Sequence, residues 1–375
     1  MDWSGMLTEL LDIVAQKSIK SYEDDVCFSS VCKSWRSVAV KVAIKVRYPN
    51  GLPSRLPSLL LAERIEDKEF RRLYLLSNES IREIRLPEAY GKFCTSSCGW
   101  LITVGDDTTT KLINPLSCEI INLPKIDTFP EFLELSVWNL GIRKLLFHSQ
   151  LPLVVVLWGC FNKLGFCRIG DDKWTSIETG RVWPILDITC YDGRVYCFDS
   201  AFHIRSCDVY GEENKMVIVH VSRLPKEYYN EDLIGAYVIG VDDDDGRKRL
   251  LVVIREVMYD DGDIYDYELC CETYKTYNFR VFDFDLENKK WSKVNDLGKK
   301  TLFVGYSSSF WIEDASGVIK SNCIYYTDDV ELYSDRKNGG GTDMGIFHMC
   351  DGTIELHFTG ESLSKVSPPV WLQSM

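Results

Sequence analysis

The residues best suited to chemistry in this chain are its acidic runs, its thiols and its few histidines, and their spacing fits no reaction. Asp242-Asp243-Asp244-Asp245-Gly246 has the texture of a calcium loop. Setting Gly246 at the sixth position, where such a loop turns, puts Val241 at the first and Val252 at the twelfth, where carboxylates must stand. Together with Asp260-Asp261-Gly262-Asp263 it reads as solvated hairpin tips. The 14 cysteines fall at irregular intervals, as in Cys94/Cys98, Cys160/Cys167, Cys190/Cys197 and Cys270-Cys271, with no Cys-x-x-Cys pair. Zinc ligands come at short, regular spacings, and of the five histidines only His348 lies beside a cysteine, Cys350. The thiols are therefore expected to be small buried hydrophobes of an intracellular chain, with no metal and no cofactor. Gly339-Gly340-Gly341 has no strand before it and no Lys-Ser/Thr after it, so it reads as a flexible loop and not a phosphate cradle. No Gly-x-Ser-x-Gly elbow or recognisable triad is present, and the chain is not expected to be an enzyme.

The N-terminal elements point instead to a partner-binding helical module. Met6, Leu7, Leu10, Leu11 and Val14 recur at the spacing that lines one stripe of a helix. Ser21-Tyr22-Glu23-Asp24 has the form of a capping box for a second helix, with Cys27, Phe28 and Val31 on one face. Trp35, Val38, Ala39, Val42 and Val46 follow at i, i+3, i+4, i+7 and i+11, a third amphipathic helix whose Lys33, Arg36, Lys41 and Lys45 are solvated. Three helices in so short a stretch cannot bury all of that surface by themselves. Some of the stripe is expected to await a partner.

This segment resembles an F-box of the plant proteins that join an F-box to a kelch-like domain. The resemblance rests on Glu9-Leu10-Leu11 and on Ser30-Val31-Cys32-Lys33-Ser34-Trp35-Arg36-Ser37. The Leu-Pro pair usual near the start of such a box is Met6-Leu7 here, which removes the proline that presets the first helical turn. The resemblance implies docking onto a Skp-family adaptor and through it a cullin, as the substrate-recognition subunit of an SCF-type ubiquitin ligase. The residues it assigns to the adaptor are Trp3, Met6, Leu7, Leu10, Leu11, Val14, Val31 and Trp35, with Leu10 and Leu11 as anchors. Two other readings are a propeller scaffold whose altered box no longer binds the ligase, and a propeller enzyme with an incidental helical cap.

Beyond residue 47 the texture changes. Pro49, Pro53 and Pro57 break the helical pattern, and residues 59–67 read as a short helix within a linker. Short strand-like runs separated by Gly, Asp and Asn then continue to the C-terminus, the signature of an all-β sandwich, barrel or propeller. Two segments superpose in register, Gly170-Asp171-Asp172-Lys173-Trp174-Thr175-Ser176-Ile177 and Glu287-Asn288-Lys289-Lys290-Trp291-Ser292-Lys293-Val294. A polar turn leading into a tryptophan strand favours kelch-type blades of about 50 residues. Cys98-Gly99-Trp100-Leu101, Leu112-Ile113-Asn114-Pro115, Tyr191-Asp192-Gly193-Arg194, Ile324-Tyr325-Tyr326 and Asp351-Gly352-Thr353-Ile354 resemble landmarks of the plant F-box-associated domain.

The expected fold is thus mainly β with a small α module: an F-box over 1–47, a linker over 48–67, and a kelch-like β-propeller of roughly six or seven blades over 68–375. Formal net charge is −13, which argues against nucleic acid as a partner because phosphate binding needs a basic footprint. The longest greasy run, Leu151 to Phe161, is too short to cross a bilayer and reads as a buried strand. No membrane partner is expected, the partners being the adaptor and an unknown protein substrate. The first residues show no basic region followed by an apolar stretch, and the expected location is the cytoplasm or nucleus.

Overall fold

The computed structural model describes residues 6–18, 27–46, 56–64, 66–115, 119–130, 132, 142–148, 153–159, 163–177, 183–208, 218–229, 235–243, 245–259, 274–314, 316–329, 341–360, 362–364 and 366–373. Two helices, α1 (Thr8–Ser18) and α2 (Lys33–Val46), flank a short helical segment at 27–30. The capping box at 21–24 lies outside the described residues. Leu11, Ala15, Phe28, Val38 and Ala39 form a core of their own, with Met6, Val14 and Trp35 packed against it. Helix α1 starts without a proline: the Leu7 carbonyl accepts the amides of Leu10 (3.1 Å) and Leu11 (3.0 Å) and takes the capping position.

Apart from 3₁₀ turns at Pro87–Ala89, Ile126–Thr128 and Lys226–Tyr228, the regular structure among the other described residues is β. Six sheets follow one another as the blades of a ring. Blade 1 combines β1 (Ser58–Leu60), β2 (Phe70–Leu75) and β3 (Ser80–Arg85) with the C-terminal β25 (Val370–Leu372). Blade 2 holds β4 (Phe93–Ser97), β5 (Trp100–Val104), β6 (Thr110–Ile113) and β7 (Ile120–Leu123). Blade 3 holds β8 (Ile142–His148), β9 (Leu153–Trp158), β10 (Lys163–Arg168) and β11 (Thr175–Ser176). Blade 4 holds β12 (Ile185–Tyr191), β13 (Arg194–Asp199), β14 (His203–Asp208) and β15 (Val219–Arg223). Blade 5 holds β16 (Gly235–Asp242), β17 (Lys248–Tyr259), β18 (Tyr274–Asp285) and β19 (Lys290–Val294). The propeller of the sequence reading is therefore six-bladed.

Blade 6 departs from the simple meander. Its order is β21 (Phe310–Glu313), β20 (Lys300–Val304), β22 (Cys323–Tyr326), β23 (Gly345–His348), β24 (Ile354–Glu355), with β20 and β22 parallel. In blades 2 to 5 the strands are antiparallel neighbours in chain order. Asp192-Gly193, both at positive φ (49° and 71°), makes the two-residue turn between β12 and β13, the backbone hand that suits a twisted hairpin.

The short helix expected at 59–67 is not there. Residues 58–60 are a strand that pairs with β2 on one side and β25 on the other, Leu59 opposite Trp371. Leu59, Leu60 and Leu61 are all fully buried, and a continuous apolar run reads alike for a buried strand and a buried helix. Strand β9, expected from the greasy run, is buried along its length.

Apolar clusters fill the spaces between successive blades. The tryptophan repeat has a physical role there. Trp174, at the outer strand of blade 3, donates its indole N–H to the Pro124 carbonyl beyond blade 2 (2.8 Å). Trp291, in the outer strand of blade 5, donates to Ser222 Oγ of blade 4 (2.9 Å). Each staples its blade to the preceding one.

Candidate functional site

The helical module turns part of its apolar surface outward. Leu7 is 66% exposed, Leu10 51%, Ile13 51% and Val31 53%. Burial of such side chains is worth about 1.5–3 kcal/mol each, so this surface is strongly biased toward a partner. The predicted residues divide into four groups. Leu7, Leu10 and Val31 face out, while Met6, Val14 and Trp35 are half-buried against the module's core, Trp35 tilted at 37° to Phe28 with ring centres 4.4 Å apart. Trp3 lies outside the described residues.

Leu11 belongs elsewhere. It is 0% exposed, at the centre of the module's core, and cannot be the partner-facing anchor the sequence suggested. Its neighbour Leu10 can. The sequence reading missed Ile13, which together with Leu10 extends the outward stripe along α1. The pattern i, i+3, i+4, i+7 describes one arc, and here the apolar arc is broad enough to serve a core on one flank and solvent on the other. In the 27–31 segment only Phe28 points inward; Cys27 and Val31 are exposed.

The inner strands are bridged by a loop of blade 6. The segment Gly305-Tyr306-Ser307-Ser308-Ser309, between β20 and β21, runs across the inner strands of three other blades. Thr95 Oγ1 of β4 donates to the Tyr306 carbonyl (2.6 Å), and the Ser308 amide donates to the Ser96 carbonyl (2.8 Å). Lys144 Nζ of β8 donates to the carbonyls of Gly305 and of Ser307 (3.1 Å for the latter), and Ser308 Oγ donates to the Leu145 carbonyl. Ser309 Oγ donates to Asp187 Oδ2 of β12 (2.8 Å), which also accepts the Val238 amide of β16 (3.0 Å). Asp187 is fully buried and lies 3.3 Å from Lys144 Nζ. Burial pushes its carboxyl up, against the pull of Lys144 and these hydrogen bonds. Lys144 and Asp187 are thus both engaged with the 305–309 segment and with each other.

A second constellation resembles a hydrolytic triad in geometry alone. His348, which the sequence set beside Cys350, instead lies 3.4 Å through Nδ1 from Cys323 Sγ and 3.0 Å through Nε2 from Glu355 Oε1. Cys323 is 1% exposed, and burial, with Cys350 nearby, pushes its thiol up to about 11. A thiol so held is protonated at neutral pH and closed to substrate. The buried cysteines Cys94, Cys167, Cys197 and Cys207 are free thiols within the blades, as small hydrophobes are expected to be.

The acidic turn at 242–246 is a hairpin tip, as expected. Asp243 accepts the amides of Asp245 (2.9 Å) and Arg247 (2.8 Å) and pairs with Arg247 and Arg249. Asp244 and the runs 260–263 and 339–340 lie outside the described residues. Among the described residues no group of three or more His, Cys, Asp or Glu could hold a metal ion. No described helix is long and apolar enough to cross a membrane.

Comparison with known proteins agrees with this architecture. The F-box protein SKIP23 of Arabidopsis thaliana is 25% identical, over 100% of this chain and 96% of its own length. The Arabidopsis F-box protein At2g17036 is 25% identical over 99% and 95%. The Arabidopsis F-box/kelch-repeat protein At1g57790 is 24% identical over 99% and 94%. All three are named as F-box proteins, one of them with kelch repeats. Residues 73–348 match the family described as KIB1-4 beta-propeller, which begins within β2 and reaches the end of β23. The chain belongs to the KIB1-4 beta-propeller family, as a plant-type F-box protein whose helical module precedes a six-bladed ring.

Proposed function

We propose that this protein is the substrate-recognition subunit of an SCF-type cullin–RING ubiquitin ligase, working in the cytoplasm or nucleus. The outward face of the helical module docks a Skp-family adaptor, and the propeller holds a target protein for ubiquitin transfer without itself catalysing a reaction. One observation carries this reading: the module completes a core from Leu11, Ala15, Phe28, Val38 and Ala39 and still leaves Leu7, Leu10, Ile13 and Val31 exposed. The F-box names of the relatives support the choice of partner. The rigid ring supports the division of labour, since packed blades can carry binding loops without deforming.

The test is a binding measurement between a purified Skp-family adaptor and the full-length chain. The parent is expected to bind and Leu10→Asp/Ile13→Asp to lose binding with its helical circular dichroism intact. Absence of adaptor binding by the parent would leave the propeller as a stand-alone scaffold. Leu11→Ala distinguishes the two flanks of α1, because it should lower helical content as well as binding.

A further inference from the structure

The outer edge of blade 4 carries two of the chain's five histidines. His203 opens β14, and His220 lies on the neighbouring β15 opposite Arg205. Their rings stand 5.3 Å apart, centre to centre, at an interplanar angle of 72°. His220 is exposed and His203 half-buried, so both can be reached from solvent.

Asp199 fixes the tautomer of His203. Its side chain is fully buried, and its Oδ1 accepts the amides of Ala201 (3.0 Å) and His203 (2.9 Å) and lies 3.2 Å from His203 Nδ1. Its Oδ2 accepts Arg205 Nε (2.9 Å). A carboxylate paired with a guanidinium only accepts, so the ring nitrogen facing it carries the proton and Nε2 keeps the free lone pair. A carboxylate on one imidazole nitrogen, leaving the other available, is the arrangement that orients histidine toward a metal and raises its basicity.

We propose that His203 and His220 form a two-histidine chelate for a divalent transition-metal ion of the zinc class, completed by water or by a side chain of a bound protein. The spacing matches: Zn–N bonds of ~2.1 Å at a tetrahedral angle set two imidazole centres roughly 5–5.5 Å apart. Imidazole nitrogen also suits such ions better than magnesium or calcium, which prefer oxygen. The nearby Arg205 charge is offset by its pairing with Asp199. With two protein ligands, the ion keeps positions open to a ligand from outside the chain.

The experiment is a calorimetric titration of zinc chloride into the full chain, with Cys27, Cys98 and Cys350, the thiols exposed among the described residues, and Cys118, Cys160, Cys270 and Cys271 replaced by serine. One ion per chain is expected. His203→Ala and His220→Ala should each weaken binding at least tenfold while the melting temperature stays that of the parent. Cobalt loaded in place of zinc should give visible bands without thiolate-to-metal charge transfer. No uptake by the parent, unchanged affinity in both variants, or a thiolate charge-transfer spectrum would each overturn the site.

Discussion

The propeller and the helical module treat neighbouring leucines differently. In the propeller, Leu59, Leu60 and Leu61 are fully buried, and even charged side chains are drawn inside: Arg255 is 0% exposed between blades 5 and 6. Its guanidinium donates to Asp329 Oδ1 (2.6 Å), Asp343 Oδ2 (2.9 Å), Thr276 Oγ1 (2.8 Å) and the Thr327 carbonyl (2.9 Å). In the helical module, a residue at the core is followed or preceded by one in solvent, as with Leu11 and Leu10. The ring buries most of its apolar side chains between blades, with exceptions such as Trp183 (62% exposed) and Leu356 (66%); the module leaves four apolar side chains of one short segment outside its core. That contrast separates the packed ring from a module with an open apolar face, and four experiments can break or sharpen it.

The largest effect should come from Arg255→Ala, which leaves Asp329 and Asp343 at a blade junction without their cation. Breaking a buried pair in this way costs about 3–5 kcal/mol, to be read as a fall in the urea midpoint. An unchanged midpoint would mean that the clasp contributes nothing to the platform.

Next comes acid. His357 is buried between Trp371, 4.9 Å away, and the Tyr326 carbonyl, 3.1 Å from its Nε2. Burial pushes its pKa down to about 4 from 6.5, only partly opposed by that carbonyl. The unfolded chain takes up a proton below about 6.5 and the native one only near 4, so the native state binds fewer protons over this range. Stability is therefore full above pH 6.5 and falls as pH drops toward 4, by about 3 kcal/mol in total. His357→Gln should flatten that part of the pH profile; a profile identical to the parent's would remove His357 as its source.

The module should respond in affinity. Leu10→Ala and Ile13→Ala are each expected to weaken adaptor binding by about 1–2 kcal/mol, roughly tenfold, with little change in helical content. Equal affinity for both variants and the parent would move the interface off α1.

Least of all should follow from exposed apolar residues of the ring. Ile81→Ser on β3 and Ile120→Ser on β7 should change unfolding free energy by no more than about 0.5 kcal/mol and leave adaptor affinity alone. A larger loss of adaptor binding would show that the ring shares the docking surface.

The parts legible in the sequence were those with local periodicity. The helices, the hairpin tips and the Trp174/Trp291 repeat announce themselves by spacing, and the alternation of strand and turn fixed the class of fold. What stayed hidden depends on distant pairing. Nothing in Ser58-Leu59-Leu60 says strand until β25 lies beside it. Gly305-Tyr306-Ser307-Ser308-Ser309 reads as an ordinary polar loop, and its place across the ring axis follows only from where blades 2, 3 and 4 stand. Lys144, Asp187 and Arg255 look like surface charges because burial is invisible in residue type. At the docking face the spacing located the stripe but not its two flanks, so Leu11 was put on the wrong side and Ile13 was passed over.

Blade 1 also imposes an order in time. Its strands β1 and β25 come from opposite ends of the propeller, and the Ala62 amide donates to Ser362 Oγ across 300 residues of chain. During synthesis β1 emerges early and waits, an open strand edge flanked by leucines, until β25 arrives to cover it. Such an edge is a template for mispairing with other chains. Contacts between segments so far apart also form slowly. The helical module, whose contacts are local, can fold long before the ring closes, so an unfinished chain would expose the module's outward apolar face while the ring is still open.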